Sequence, residues 1–270
     1  MTQDKILIPS GIGDALWILQ TLPQDKAYYF EITKSDKYRA WQLLDLLPSL
    51  VDGYNEHESI SFSYNDKRIT QANRHVENGQ RIERFTGTCT WDLPWQTKQY
   101  KTKANKLLKK PRGKKLIGIY TSSFKHAWVQ RNYTWQADDW LRLLNTLSKN
   151  DNVKLVLFGA DYDKDASEWL KGKGVEFVDC VGDQHLGVTI EAIKKCDGFI
   201  GFPSGLPIIA HHLKVPTIMF FPHEARHTKM HNTFNRPGSI EDGTWKGCSF
   251  PKLVDLLEWM QNSKVWAEIL

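Results

Sequence analysis

Short apolar runs alternate with amphipathic segments along the first part of the chain. Apolar runs rich in β-branched and aromatic residues predict strands, and apolar residues at helical spacing predict helices. In chain order, the predicted elements are a strand at 5–9, a helix at 14–22, a strand at 27–33 and a helix at 36–47. This order predicts a parallel sheet covered by helices. The pattern then blurs, because residues 54–100 hold strand-like pieces, such as 59–64, between polar loops.

A second and clearer alternation begins at residue 116. Its predicted strands lie at 116–120, 153–158, 175–180, 198–201 and 216–221. Its predicted helices lie at 135–148, 164–171, 189–196, 205–213 and 251–260. The strands are apolar nearly throughout, as expected where helices cover both faces of a parallel sheet. We therefore predict an α/β protein of two Rossmann-like domains, at 1–110 and 111–250, followed by a helical segment at 251–270.

The composition is typical of a soluble globular protein. The 270 residues are 41% hydrophobic and 25% charged, and no run approaches the roughly 18 apolar residues that a membrane span needs. The first residues lack the basic and apolar regions of a signal peptide. The four cysteines are scattered and form no C-x-x-C pair, which favours reduced thiols. We therefore predict a cytoplasmic protein.

The net charge of +5 and the isoelectric point of about 8.9 permit a polyanionic partner without requiring one. Basic residues are concentrated at 101–115, a segment that contains Pro111 and Gly113 and indicates a boundary between domains. Two interpretations stay open for this segment. It is either a solvated helix with a linker or a basic strip that faces phosphates.

The first predicted strand runs into residues 11–14, which read Gly-Ile-Gly-Asp. Two glycines between a strand and a helix match part of the G-x-G-x-x-G dinucleotide fingerprint, and Glu31 follows at the position of a ribose-binding acid. Leu16 replaces the third glycine, however, and would hinder close packing of helix and strand. Asp14 therefore has three interpretations: part of a cofactor site, an acid that stabilises the first helical turn, or a general base beside a substrate.

A second candidate site follows the predicted strand at 198–201. Residues 203–205 read Pro-Ser-Gly and precede a predicted helix, so Ser204 and Gly205 stand at its N-terminus. Free amides and the helix dipole favour a phosphate there. An ordinary capped helix would have the same sequence, so both interpretations stay open.

Three stretches together resemble glycosyltransferase family 9, the heptosyltransferase-like enzymes. They are the Gly-Ile-Gly-Asp of 11–14, the Thr-Ser-Ser of 121–123 and the Pro-Ser-Gly of 203–205. The segments 154–160 and 181–186 are similar to further motifs of that family. The resemblance extends through most of 5–22 and 116–222, whereas residues 50–110 resemble nothing that we can name.

This resemblance implies the GT-B fold, in which two Rossmann-like domains face a central cleft and the C-terminal domain holds a nucleotide-sugar. It also implies that the segment at 251–270 packs back on the N-terminal domain. Asp14 matches the acid of the family's Gly-Asp motif, the base for the acceptor hydroxyl in an inverting transfer. No cofactor and no obligatory metal are expected. The residues expected to bind the donor are Gly11, Gly13, Thr121, Ser122, Ser123, Lys125, Arg131, Gly159, Gly182, Pro203, Ser204, Gly205, Leu206, His223, Glu224 and Arg226.

The sequence departs from the family in three places, and the first of them argues against a heptose donor. Pro203 stands where the family often has an acid, Arg131 is the nearest substitute for a basic residue before a tryptophan, and the first domain is short. Compact bacteriophage enzymes that glycosylate DNA bases share the two-domain plan. Pro203, the short first domain, the basic segment and the isoelectric point favour a duplex DNA acceptor. The expected acceptor is a 5-hydroxymethylcytosine flipped out of the stack, with a hexose or pentose donor, in the host cytoplasm of a bacteriophage. A lipopolysaccharide or other glycan is the alternative acceptor.

Two short motifs have the form of metal sites in other enzymes. Residues 223–227 read H-E-x-x-H, as in zinc proteases, but they are polar on every side, unlike a buried catalytic helix. We expect a loop there that reaches the nucleotide or the diphosphate. Residues 161–163 read D-x-D, the metal-diphosphate motif of other glycosyltransferases, and are expected to start the next helix instead.

Two other functional classes stay open. An NAD(P)-dependent oxidoreductase would use the loop of Gly11 and Gly13. A non-catalytic module would bind a nucleotide-sugar without transferring it. The sequence does not predict an oligomeric state.

Overall fold

The computed structural model describes residues 5–8, 10–33, 39–57, 91–122, 135, 137–221, 236, 238–249 and 252–270. The chain forms two compact units, Met1–Gln99 and Tyr100–Leu270. The division falls before the predicted domain boundary at residue 110, and the basic helix Lys101–Leu107 belongs to the second unit. The strand-like piece predicted at 59–64 lies outside the described residues.

A three-stranded parallel sheet forms the described part of the first unit together with two helices. Its elements in chain order are β1 (Lys5–Ile8), α1 (Ile12–Thr21), β2 (Tyr28–Thr33), α2 (Ala40–Asp45) and β3 (Val51–His57). The strand order is β1-β2-β3, and both strand pairs are parallel. The predicted β-α-β-α order is therefore confirmed. A third strand follows it, and α1 begins before the predicted start.

Apolar side chains explain why the first sheet forms. Ile6, Ile8 and Phe30 are fully buried on the strands, and Leu16 is fully buried on α1. Complete burial of one such side chain stabilises a fold by about 1.5–3 kcal/mol. These strands are therefore apolar in the sequence because their side chains are buried between the sheet and its helices.

Six strands form one parallel sheet in the described part of the second unit. The elements in chain order are α3 (Lys101–Leu107), β4 (Lys115–Tyr120), α4 (Ala137–Ser148), β5 (Val153–Gly159), α5 (Lys164–Gly172), β6 (Val178–Val181), α6 (Leu186–Ile193), β7 (Gly198–Gly201), α7 (Gly205–His212), β8 (Thr217–Phe221), β9 (Trp245–Ser249), α8 (Leu253–Asn262) and α9 (Lys264–Ile269). The five predicted strands and five predicted helices of this half are all present, with ends that differ by a few residues. The strand β9 and the helix α9 were not predicted.

The strand order of the second sheet is β6-β5-β4-β7-β8-β9. Counted within this unit, that order reads third, second, first, fourth, fifth and sixth, which is the order of the Rossmann fold. From β4, the strands β5 and β6 follow on one side of the sheet and β7, β8 and β9 follow on the other, so the strand order changes direction between β4 and β7. Ligands of such sheets bind at this switch point, outside the carboxyl ends of the strands.

The two C-terminal helices complete the core of the second unit. Leu256 and Met260 of α8 and Trp266 of α9 belong to its hydrophobic cluster. The indole of Trp266 covers Gly198 of β7, where a Cβ atom would lie 2.8 Å from the ring. The buried face of this segment therefore belongs to the second unit.

Among the described residues, no helix combines the length and the apolar character that a bilayer crossing requires.

Candidate active site

The carboxyl ends of β4 and β7 bring two of the predicted motifs together. Tyr120, the last residue of β4, pairs with Gly201, the last residue of β7. The amide of Phe202 then donates to the carbonyl oxygen of Tyr120 at 3.1 Å. The segments that follow, 121–122 and 203–205, therefore leave the sheet next to each other, at the switch point where parallel sheets bind ligands.

Gly201 makes this close approach possible. A Cβ atom at this position would lie 3.0 Å from Cβ of Tyr120 and 3.0 Å from Cγ of Pro207. Both distances are shorter than ordinary van der Waals contacts between carbon atoms. The glycine therefore allows the first turn of α7 to pack against the end of β4.

The loop after β4 has an unusual backbone conformation. Ser122 has a φ of 59°, in the left-handed region that residues with a side chain seldom adopt. The hydroxyl of the buried Thr121 donates to the carbonyl oxygen of Ser122 at 3.0 Å and holds this conformation. Backbone strain of this kind is concentrated at functional sites. The other predicted donor residues of this loop, Ser123, Lys125 and Arg131, lie outside the described residues.

Ser204 caps the N-terminus of α7 and is preceded by the partly exposed Pro203. Its hydroxyl oxygen accepts a hydrogen bond from the amide of Leu206 at 3.3 Å. Pro207, the next residue of the first turn, has no amide hydrogen. The amide of Gly205 is therefore the first-turn donor left for a ligand, together with the hydroxyl hydrogen of Ser204 and the helix dipole. This helix N-terminus thus offers fewer amide donors than its sequence motif implied.

The phenol of Tyr120 lies beside both segments, and no motif in the sequence indicated it. Its side chain is buried, and the hydroxyl groups of Ser122 and Ser204 lie near enough to influence its ionisation. Burial, followed by the charge of Asp163, raises the pKa of Tyr120 well above its ordinary value, although the nearby serine hydroxyl groups act in the opposite direction. Tyr120 is therefore a neutral phenol. The one signal for it was its place, at the end of an apolar strand directly before the Thr-Ser-Ser motif.

Gly159 ends β5 and packs against the D-x-D residues. A Cβ atom at Gly159 would lie 2.9 Å from Cβ of Asp163, whose Oδ2 accepts from the amide of Ala160 at 2.9 Å. Asp161–Asp163 form a single 3-10 turn that leads into α5, which confirms that this motif starts a helix. In the described ranges of the chain, no three potential metal-binding side chains are grouped together.

Gly182 follows β6 at the same edge of the sheet. Its φ of +146° is a conformation that only glycine adopts readily, and its amide donates to the carbonyl oxygen of Gly159 at 3.1 Å. Asp179 of β6 lies just before it. Burial raises the pKa of Asp179, but hydrogen bonds from Lys171 and Ser167 outweigh that effect and hold the pKa below its ordinary value. The two predicted glycines therefore join the ends of β5 and β6 through their backbones.

An aromatic pair that no sequence signal indicated holds the start of α6. The ring of Tyr100 stacks on His185, with ring centroids 4.5 Å apart and planes 9° apart. Nδ1 of His185 accepts from the amide of Gly187 at 3.0 Å and so caps α6. The missing side chain of Gly187 provides room for Tyr100, because a Cβ atom there would lie 2.3 Å from the Tyr100 ring. The beginning of the second unit is thus fixed to the loop after β6.

In the first unit, Gly11, Gly13 and Asp14 lie at the start of α1. Gly11 is the N-cap residue, and its carbonyl oxygen accepts from the amide of Ala15 at 3.0 Å. The helix begins at Ile12, so Gly13 and Asp14 lie in its first turn. Asp14 is therefore the third helical residue rather than the cap, a position that the helix dipole makes favourable for an acid.

The segment after β8 was predicted to reach the nucleotide. Its predicted donor residues, and the H-E-x-x-H motif with them, lie outside the described residues: His223, Glu224 and Arg226. The amide of Arg236 donates to Nε2 of His211 at 2.9 Å. Burial lowers the pKa of His211 to about 3 and that of His212 to about 3, so both rings are neutral at the end of α7.

The basic segment 101–115 is partly paired within the second unit. Nζ of Lys195 donates to two carbonyl groups at the C-terminus of α3, at 3.0 and 2.6 Å. Asp197 pairs with Lys110 at 2.7 Å and with Lys115 at 3.7 Å. The exposed basic residues of the segment that form no ion pair with the described residues are Lys101, Lys103, Lys106, Lys109, Arg112 and Lys114.

Comparison with known proteins identifies the family. The family model of glycosyltransferase family 9 (heptosyltransferase) matches residues 51–236. The chain belongs to glycosyltransferase family 9. The matched span contains the β4–β7 edge and the blurred region of 54–100, and it begins after Asp14.

Solved structures of related enzymes share the fold over nearly the whole chain. The Escherichia coli ADP-heptose LPS heptosyltransferase II matches with a TM-score of 0.61 and 13% identity, over 98% of each chain. The family 9 glycosyltransferase of Veillonella parvula matches with a TM-score of 0.62 and 12% identity, over 98% of this chain and 93% of its own. The E. coli heptosyltransferase WaaC with ADP-2-deoxy-2-fluoro heptose matches with a TM-score of 0.52 and 12% identity, over 96% and 99%. A search among curated proteins finds no match.

These likenesses confirm the predicted α/β fold of the GT-B type, and family membership confirms the prediction of a glycosyltransferase. The alternative of an NAD(P)-dependent oxidoreductase is not supported.

Proposed function

We propose that this family 9 enzyme is an inverting glycosyltransferase that moves a sugar from a nucleotide-diphosphate-sugar to an acceptor hydroxyl. The observation that carries the proposal is the β4–β7 edge, where the Thr121–Ser122 loop and the N-terminus of α7 emerge side by side. Both segments carry hydrogen-bond donors at the switch point of a Rossmann-type sheet. That combination suits the diphosphate of a nucleotide-sugar.

We infer that the donor diphosphate binds the Gly205 amide and the hydroxyl groups of Ser122 and Ser204. Lys125 and Arg131 follow the β4 loop in the sequence and are proposed to supply cations to the leaving group. The WaaC structure carries an ADP-sugar analogue, so ADP-heptose is the first donor to test. No cofactor and no obligatory metal enter the proposed reaction.

The proposed base is Asp14, in the first turn of α1. The acceptor oxygen forms a bond to the anomeric carbon on one face of the sugar while its proton passes to the Asp14 carboxylate. The bond between the anomeric carbon and the diphosphate oxygen breaks on the opposite face. Its electron pair leaves with the nucleoside diphosphate, so the configuration at the anomeric carbon inverts.

Asp14→Asn tests the base. General acid–base catalysis contributes about 10²–10⁴-fold, so we expect turnover to fall by that factor while donor affinity and folding are kept. Asp25→Asn is the matched control, because Asp25 is an exposed acid of the same unit, in the loop after α1. Near-normal turnover of the Asp14→Asn enzyme would refute the assignment.

A thermal-shift panel tests the donor class. We expect ADP, UDP or GDP and one of their sugar conjugates to raise the melting temperature by binding the folded state. Stabilisation by NAD(P) alone would refute the donor proposal. Stabilisation by a nucleotide-sugar without transfer to any acceptor would indicate the non-catalytic module instead.

For the acceptor, we propose a glycan hydroxyl, as in the lipopolysaccharide heptosyltransferases that share the fold. A second candidate, 5-hydroxymethylcytosine in duplex DNA, is favoured by one observation, the six exposed and unpaired basic residues of segment 101–115 among the described residues. A flipped base would have to reach the enzyme from a duplex held through its phosphates.

Duplex binding distinguishes these two acceptors. If DNA is the acceptor, the affinity for a 5-hydroxymethylcytosine duplex should fall steeply with salt. The triple variant Lys103→Gln, Lys106→Gln, Lys109→Gln should bind this duplex with an affinity that depends less on salt. The control is a second triple variant, Lys149→Gln, Lys173→Gln, Lys252→Gln, because these lysines are exposed elsewhere on the same unit. Absence of duplex binding at low salt would exclude DNA and leave the glycan.

A further inference from the structure

The net positive charge of the chain comes from one stretch of it. Of the 36 Lys and Arg residues, eleven lie between Asp92 and Asp138, a stretch that contains no Asp or Glu. The remaining 25 are outnumbered by the 31 Asp and Glu residues of the chain. Six exposed basic residues in this stretch of the second unit, on α3 and directly after it, form what we call the basic stripe: Lys101, Lys103, Lys106, Lys109, Arg112 and Lys114.

The helix α3, which carries half of the basic stripe, is fixed to the body of the second unit. It packs on α6, and Ala104 and Leu108, four residues apart on one face, are fully buried. Nζ of Lys195 donates to the carbonyl oxygens of these two residues at 3.0 and 2.6 Å. Lys106 follows Ala104 by two residues, about 200° around the helix, so it lies on the opposite and exposed face. The stripe is therefore held on a rigid support.

The basic stripe extends along α6 from one edge of the sheet to the other. Tyr100, directly before α3, stacks on His185, directly before α6. Lys195 follows the end of α6 and holds the end of α3, so the two helices are parallel. Lys101 therefore lies towards the carboxyl edge of the sheet, whereas Lys114 lies at the amino edge, next to the first residue of β4.

This arrangement favours the surface of an anionic bilayer over a nucleic-acid duplex. Five of the six basic residues are lysines, which attract phosphates as point charges, without the bidentate geometry that base recognition uses. A flipped nucleotide at the carboxyl edge has phosphates on both sides of it, but the stripe extends away from that edge. A bilayer requires only that several cations face it together.

The attraction to such a surface is electrostatic. The exposed large apolar side chains of the described residues lie outside segment 101–115, at Tyr162, Ile240 and Val254. The stripe therefore has cations to place against lipid phosphates but no large apolar side chain to insert among the acyl chains.

We propose that the basic stripe docks the enzyme on the surface of a bilayer that contains anionic phospholipids. Each Lys or Arg near such a surface strengthens binding about fivefold. The attraction falls off within a Debye length, about 8 Å at physiological ionic strength, so the docking is reversible and sensitive to salt. Docking of this kind needs neither donor nor acceptor, so its failure would leave the proposed transfer reaction untouched.

Co-sedimentation of the whole chain with vesicles tests the docking. We expect binding at low salt to vesicles of equal parts phosphatidylglycerol and phosphatidylcholine, release when salt is raised, and little binding to phosphatidylcholine alone. Three lysines contribute about 100-fold to the affinity for the anionic vesicles. That loss is expected of the triple variant Lys103→Gln, Lys106→Gln, Lys109→Gln.

Two matched variants separate the stripe from net charge and from folding. Arginine keeps the charge at the same three positions, so Lys103→Arg, Lys106→Arg, Lys109→Arg should keep the affinity for anionic vesicles. An equal loss of charge from exposed positions elsewhere on the unit should have little effect, and it is provided by Lys149→Gln, Lys173→Gln, Lys252→Gln.

Three results would overturn the proposal. The first is an absence of wild-type binding to the anionic vesicles at low salt. The second is an equal loss of binding in the two glutamine variants, or a loss in the arginine variant, because the attraction would then not come from the charge of the stripe. The third is binding of duplex DNA, but not of vesicles, at the same salt, which would make the stripe a nucleic-acid surface instead.

Discussion

Mild acid should destabilise the second unit through the two buried histidines at the end of α7. His211 and His212 are 3% and 4% exposed, and burial lowers the pKa of each to about 3. Nε2 of His211 accepts from the Arg236 amide, so this ring is held in the form that carries its hydrogen on Nδ1. Protonation of His211 would remove that acceptor and leave a buried charge.

The expected size follows from proton linkage. Between the folded pKa of about 3 and the unfolded value of 6.5, the unfolded chain binds more protons than the folded chain. Stability is therefore fully present above pH 6.5 and is lost as the pH falls towards 3. At pH 5 the loss is about 2 kcal/mol for each histidine and about 4 kcal/mol for both, since one pKa unit corresponds to about 1.4 kcal/mol. The loss of stability at pH 5 depends on the pKa of the histidines in the unfolded chain and hardly on their pKa in the folded protein.

Urea denaturation at pH 7 and pH 5, followed by tryptophan fluorescence, measures this loss, because Trp245 lies against the His211 ring. The change His211→Gln, His212→Gln should abolish most of the difference between the two pH values, and each single variant should abolish about half. A glutamine at 211 keeps a side-chain acceptor for the Arg236 amide. An unchanged pH difference in the double variant would refute the reasoning.

Two further predictions concern packing in the second unit, and urea denaturation measures both. Gly187→Ala should cost about 1–3 kcal/mol, because the new Cβ atom would meet the Tyr100 ring at 2.3 Å; a neutral effect would show that the ring can move freely. Trp266→Ala should cost about 3–5 kcal/mol, because Trp266 is fully buried over β7. The half-buried Trp259 is its control, and an equal cost for Trp259→Ala would contradict the assignment of Trp266 to the core.

The strands at the centre of the second sheet were predictable because helices cover both of their faces, which makes them continuously apolar. The edge strand β9 (Trp245–Ser249) was missed, since it mixes Trp245 with polar and glycine residues. The helix α8 showed the right periodicity in the sequence, but periodicity does not say which core a helix completes. That choice depends on Trp266 meeting the glycine surface of β7, a contact between distant parts of the chain.

The candidate site divides in a similar way. Ser204 and Gly205 were predictable because a helix cap is a local pattern, and the structure then limits the motif by showing that Pro207 removes an amide donor. The position of Tyr120 next to the Pro-Ser-Gly segment was not predictable, because it comes from the strand order, which places β4 beside β7. A residue at the end of an apolar strand lies beside a second loop only when the sheet places the end of another strand next to it.

The two halves of the proposed reaction have different support, and this decides the order of experiments. The family match spans 51–236, so it includes the β4–β7 edge but not Asp14. The donor side therefore rests on family, fold and local geometry together, whereas the base rests on a short motif at the start of α1. If Asp14→Asn keeps its turnover while Ser204→Ala loses donor efficiency, the donor site stands and the base is another residue. If both variants behave normally although nucleoside diphosphates bind, the nucleotide does not use the β4–β7 edge. Donor binding should therefore be measured before either variant is interpreted.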